Sequence, residues 1–102
     1  MSGFRINGYL INDKEGEYEI EVPQGTAILD VTLPKINHPD AFNKVSITVF
    51  EWPEAKEKLG QVDKVKIVAL RAGTEVPVDQ NYRFINKICF IMEDDLYYFQ
   101  VT

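Results

Sequence analysis

One cysteine, one histidine and one tryptophan are all this chain holds of three chemically versatile residue types. Cys89 has no partner for an internal disulfide, and its setting in Ile88-Cys89-Phe90-Ile91 predicts a small buried hydrophobe. His38 lies beside Pro39 and Asp40 without further ligands at metal-binding spacing, and reads as loop surface. Glu93-Asp94-Asp95 lacks the ligand pattern and glycine of a calcium loop and reads as a solvated turn. No Ser-His-Asp or Cys-His arrangement, phosphate-cradling glycine loop or dinucleotide fingerprint occurs, so neither an enzyme nor a bound metal or cofactor is expected. Long apolar runs are missing too: none approaches the roughly 20 residues that cross a bilayer. The opening Met1-Ser2-Gly3-Phe4-Arg5 has no apolar signal core, so the expectation is a cytoplasmic protein with no membrane partner.

What remains suffices for one folded domain. The chain has 102 residues, of which 45% are hydrophobic and 12% aromatic, enough for a single modest core and too apolar for disorder. A net charge of −5 argues against indiscriminate binding to polyanions, although a local field can differ in sign from the total. The charges are segregated. Asp13, Glu15, Glu17, Glu19 and Glu21 crowd the expected first hairpin, whereas Lys64, Lys66, Arg71, Arg83 and Lys87 gather in the second half.

Period-two alternation dominates. Strands are expected over Phe4–Ile11, Glu17–Val22, Ala27–Leu33, Lys44–Trp52, Asp63–Arg71, Tyr82–Met92 and Leu96–Val101. In the first, Arg5, Asn7, Tyr9 and Ile11 oppose Phe4, Ile6, Gly8 and Leu10. In the third, Ala27, Leu29, Val31 and Leu33 share a face. Pro34–Asn43 reads as a loop, and Ala72–Asn81 as the loop of a long hairpin. The only helical segment begins at Pro53, a residue suited to a first helical position, and Gly60 is placed to end it. Short strands with one helix among them predict an all-β fold, a small closed or nearly closed antiparallel barrel; a sandwich is the alternative.

The densest chemistry lies in the middle. Phe50 and Trp52 share a strand face opposite Val45, Ile47 and Val49, so they point to solvent if the aliphatics line the core. The other reading has Trp52 packing on the helix or covering a barrel end. Lys64 and Lys66 alternate on the next strand, which suits phosphate contact but is also a common way to protect exposed strands. Tyr9 stands among Arg5 and Asn7 on a mixed face that suits a groove or an ordinary strand surface. Tyr82, Arg83, Phe84 and Lys87 repeat the aromatic-basic mixture, with Phe84 expected in the core. Arg83 and Lys87 share a parity with Ile85 and Cys89, a conflict unless the strand bulges.

Ile47-Thr48-Val49-Phe50-Glu51-Trp52, Glu54-Ala55-Lys56-Glu57-Lys58-Leu59, Asp63-Lys64-Val65-Lys66-Ile67, and Leu70-Arg71 before Tyr82 follow one another within residues 44–92, after an opening Asn7-Gly8-Tyr9-Leu10. In these motifs the chain resembles a bacterial or phage single-stranded DNA-binding protein of the OB-fold type, a resemblance that implies a small antiparallel OB-fold-like barrel. It implies that Phe50 stacks a base and that Arg71 begins a basic arm along the strand. Glu51 departs from the family's small residue there, and the family's acidic-tipped flexible tail has no counterpart in Tyr97–Thr102. The expected function is single-stranded DNA binding with little sequence preference, serving replication or recombination, with RNA as the alternative strand. Phe50, Trp52, Tyr9 and Tyr82 would stack bases, and Lys64, Lys66, Arg71 and Arg83 would contact phosphates. A homo-oligomer, dimer or larger, is expected. The alternative is a β-rich protein-interaction module or phage assembly subunit whose exposed aromatics form a protein interface.

Overall fold

The computed structural model describes residues 3–34 and 43–102. Seven strands and one short helix follow in order: β1 (Arg5–Asn12), β2 (Gly16–Pro23), β3 (Ala27–Thr32), β4 (Lys44–Glu51), α1 (Pro53–Glu57), β5 (Val62–Leu70), β6 (Tyr82–Ile88) and β7 (Leu96–Val101). All pairing is antiparallel. The strands form two sheets, β1-β4-β3 and β2-β5-β7-β6. The expected barrel is therefore not closed. Inner faces of both sheets meet in one apolar cluster, which the sandwich alternative describes better.

Alternation explains which side chains fill the interior. On β4, Val45, Ile47 and Val49 are completely buried, while Ser46, Thr48 and Phe50 lie on the outer face. Ile20 and Val22 of β2, Val65, Ile67 and Ala69 of β5, and Leu96 and Tyr98 of β7 complete the opposite wall. Burying these aliphatics is the main stabilising term, each fully buried Val or Ile contributing about 1.5–3 kcal/mol.

Two expected hairpins are absent. β1 and β2 are consecutive but unpaired, so the Asp13–Glu15 turn is a corner between sheets. β5 and β6 are separated by β7, so residues 72–81 cross over an intervening strand. The β6–β7 hairpin holds, yet β6 ends at Ile88. Consequently Cys89 is exposed, and Ile91 and Met92 lie almost fully open, correcting the buried-cysteine expectation.

Two bulges decide several orientations. Register shifts between Ile28 and Asp30, so Ile28 and Val31 face inward while Leu29 is left half-exposed. The expected face of Ala27, Leu29, Val31 and Leu33 does not form. A second shift, between Phe84 and Asn86, absorbs Ile85. It places Arg83, opposite Gln100, on the other face from Lys87, opposite Tyr97, which resolves their parity conflict.

The helix is shorter than its pattern suggested. Pro53 occupies its start and Ala55 is its buried residue. Gly60 adopts a left-handed φ of 65°, open to glycine at little cost, and its amide closes the last turn on the Lys56 carbonyl. Among the described residues no helix is long and apolar enough to cross a membrane. His38 and Asp40 lie outside the described residues, as does most of the expected loop.

Candidate functional site

The residues proposed from sequence as one aromatic-basic surface occupy several places. Phe50 is on the outer face of the three-stranded sheet, 41% exposed, with its ring stacked on Phe4 at 4.9 Å and nearly parallel. Trp52 immediately precedes α1 in extended conformation and is half-buried. Tyr9 points the other way from Phe50, toward Glu51.

Glu51 organises that end of the molecule. Its parity with Val45, Ile47 and Val49 carries it inside, where it is 0% exposed. A buried carboxylate must be supplied with donors. Here Arg5 Nε donates to Oε1 at 3.0 Å, Asn7 Nδ2 to the same oxygen at 2.8 Å, and the Tyr9 hydroxyl to Oε2 at 2.5 Å. Burial pushes the Glu51 carboxyl up, but the hydrogen bonds from Tyr9, Asn7 and Arg5 outweigh it and hold the group below the usual carboxylate range. Burial, and then the bond to Glu51, pushes the Tyr9 hydroxyl up to about 12. The polar face of β1, expected as a groove, thus serves as the donor set for one internal acid. Sequence held the signal: a glutamate in core parity demands polar side chains on the neighbouring strand.

Lys64, Lys66 and Tyr82 share the outer face of the four-stranded sheet. Register lays this face out in rows. Glu19, Lys66, Val101 and Tyr82 form one row, and Glu17, Val68, Phe99 and Phe84 the next. Phe99 contacts both Phe84, at 5.4 Å, and Tyr82, at 6.4 Å, edge to face. Phe84 is 53% exposed, correcting its assignment to the core. Phe99 was not among the expected site residues; its alternation with Tyr98, the largest fully buried side chain, was the available signal. The glutamates of β2 face the lysines, Glu21 opposite Lys64 and Glu19 opposite Lys66, so the positive strip has a negative border.

The remaining cations are committed elsewhere. Arg71 pairs with Glu15 at 2.9 Å and Asp94 at 3.2 Å at the sheet corner. The loop that follows it contains Glu75 and Asp79 and no basic residue, so the expected basic arm is absent there. Arg83 bridges the sheets, donating through Nη2 to the Ile28 carbonyl at 3.0 Å and to Gln100 at 2.8 Å. Stacking and phosphate-contacting candidates therefore do not converge on one groove.

The more uniform surface is the outer face of β1-β4-β3. Phe4, Ile6 and Leu10 from β1 and its approach, Phe50 from β4 and bulged Leu29 from β3 are all exposed large apolar side chains. Ile6 lies directly opposite Phe50, and Gly8, Ser46 and Thr48 keep the centre low. From Ser46 to Phe50 the charged exception is Asp30 at the β3 margin, whose carboxylate is held by Asn86 Nδ2 and the Val31 amide. Lys44 closes one end, bonded to Asn12. Three strands about 4.8 Å apart and some eight residues long give a patch of roughly 350 Å². That is the size of the largest apolar patch on a typical monomer, which is often a functional surface.

Among the described residues, no group of three His, Cys, Asp or Glu side chains is placed to hold a metal. Comparison with family models, with curated proteins and with solved structures found no match, so the surface chemistry above stands without a relative to interpret it.

Proposed function

We propose that this protein is a non-enzymatic β-rich interaction module that docks another protein surface on the outer face of β1-β4-β3. The observation that carries the reading is the nearly charge-free face on which Phe4 stacks on Phe50 beside Ile6, Leu10 and Leu29. Aromatic and aliphatic side chains left open together gain most by being covered, about 25 cal/mol for each Å² removed from water. Among the described residues nucleic acid would find a single cation there, Lys44 at one end, to offset its phosphates, whereas an apolar protein surface needs none. A cytoplasmic assembly role, including that of a phage structural subunit, accords with this reading.

The test is site-specific photo-crosslinking in the host cell, with the photoreactive residue at Thr48 or, as control, at Lys66. A discrete protein adduct is expected from Thr48 and not from Lys66, and Phe50→Asp should abolish it. Adducts from Lys66 alone, or only with nucleic acid, would refute the reading.

A second reading, single-stranded DNA binding on an OB-type relative, is favoured by a different observation. Tyr82, Phe84 and Phe99 form a partly exposed aromatic group beside Lys66 on the outer face of β2-β5-β7-β6, with Phe84 its most open member. The order strand, short helix, strand over β4-α1-β5 also accords with the resemblance. Stacking there would contribute about 1–3 kcal/mol per base. Anisotropy of labelled oligo-dT decides: binding at low salt that is lost in Phe84→Ala supports this reading, and no binding disposes of it.

A further inference from the structure

We propose that the cavity between β1, the end of β2 and α1 binds a small carboxylate with a flat apolar body, held by Arg5 and Lys56. The site is separate from the β1-β4-β3 docking face, because Arg5 and Tyr9 have the opposite parity to Ile6 and Leu10 along β1.

The cavity is built on the buried acid. Glu51 accepts a hydrogen bond from Arg5 Nε at 3.0 Å and another from the Tyr9 hydroxyl, and so fixes two of the side chains that line the space. Pro23 at the end of β2, with Pro53, Lys56 and Glu57 of α1, forms the other walls. The volume is about 330 Å³, at the lower end of the range for small-molecule sites. A charge buried with its pair is a weak source of stability, since a well-packed apolar residue often serves as well. What Glu51 supplies is orientation: a guanidinium and a phenol held in place at the edge of a cavity.

The chemistry of the lining selects the ligand. Glu51 engages Arg5 through Nε, which leaves both terminal nitrogens without a hydrogen bond among the described residues. One of them, Nη2, lies 3.9 Å from Glu57, too far for a hydrogen bond. That terminal pair matches the two oxygens of a carboxylate. Lys56 Nζ is likewise 3.9 Å from Glu21, and its flexible stem lets it reach the same anion. A doubly charged phosphate fits less well, because Glu51 already offsets Arg5 and Glu57 stands at the rim. The Tyr9 ring and the two prolines, fixed in φ, give rigid apolar walls for a body about one ring in size.

Heteronuclear NMR of the nitrogen-labelled full chain, titrated with benzoate at neutral pH and constant ionic strength, tests this. Saturable shifts are expected at Arg5 Nε and at the amides of Tyr9 and Lys56, with a Kd on the order of 1 mM. Benzamide, the same ring without the charge, should give none. Lys56→Gln should raise the Kd by about threefold, and Arg5→Lys, which keeps the charge and removes the paired nitrogens, by about tenfold. Should Arg5→Lys fail to fold, Lys56→Gln alone decides. An equal response to benzamide, shifts centred on Lys64 and Lys66, no saturation up to about 20 mM, or a Kd indifferent to Lys56→Gln overturns the inference. Loss of this site leaves the Thr48 crosslink untouched, so it and the docking face fail separately.

Discussion

Two tyrosines separate what a hydroxyl contributes with a partner from what it contributes without one. The Tyr9 hydroxyl completes the donor shell of buried Glu51. Tyr98 is fully buried, and its hydroxyl has no hydrogen-bond partner among the described residues. Tyr9→Phe should therefore destabilise by about 1–3 kcal/mol, leaving a buried carboxylate oxygen short of a donor. Tyr98→Phe should be neutral or slightly stabilising. Urea unfolding of the two variants checks the contrast; equal losses would contradict it. The same shell predicts pH dependence. Glu51 is held below its ordinary value, so its stabilisation is complete above the usual carboxylate range and is lost as pH falls through the depressed folded value. Tyr9 is raised to about 12, so its contribution is present below about pH 10 and is lost between there and 12. Burial pushes Tyr98 and Tyr18 the same way, so Tyr9→Phe should flatten the alkaline limb only in part. Glu51→Gln should flatten the acid limb at a cost of about 1–3 kcal/mol, since an amide cannot accept from all three donors.

At the scale of elements, the sheets are held together on one side by side chains in place of a backbone ladder. β3 and β6 lie adjacent without pairing. The seam is made by Arg83 to the Ile28 carbonyl and by Asn86 Nδ2, which donates to Asp30 and to the Val31 carbonyl, each at 3.0 Å. Asn86→Leu should free both acceptors, cost about 1–2 kcal/mol and accelerate amide exchange in β3 more than in β4. Unchanged exchange in β3 would show that packing alone holds the edge. Both seam residues depend on the bulge at Ile85, which turns Arg83 away from the face that Lys87 occupies. Alternation over Tyr82–Ile88 could reveal the conflict among those side chains. It could not say where the extra residue sits, because a bulge is chosen by the register of the partner strand.

For the whole molecule, salt separates the two functional readings by sign. Raising ionic strength from about 10 mM to about 100 mM shortens the screening length from about 30 Å to about 10 Å. Oligonucleotide binding should therefore weaken steeply, whereas docking of a protein on the apolar β1-β4-β3 face should hold or tighten. Anisotropy of labelled oligo-dT, and binding of the protein crosslinked from Thr48, measure both slopes across that range; protein docking that weakens with salt would place the contact on charged groups and away from the β1-β4-β3 face. How much of this was legible beforehand follows from what each signal measures. Strand positions, the apolar row of β4 and the helix start at Pro53 were read from alternation and turn residues, since these depend on near neighbours. Which strands pair was not. Four connections between successive strands, β1 to β2, β2 to β3, β4 to β5 and β5 to β6, join strands that do not pair. The aromatic-basic surface expected from residues 44–83 divides because Phe50 and Lys66 belong to different sheets with outer faces directed apart. The sequence by itself determined which side chains stand together along each strand, because a period of two is a local property of extended backbone. Only the tertiary structure decided which faces meet, because pairing and register are settled by contacts between residues far apart in the chain.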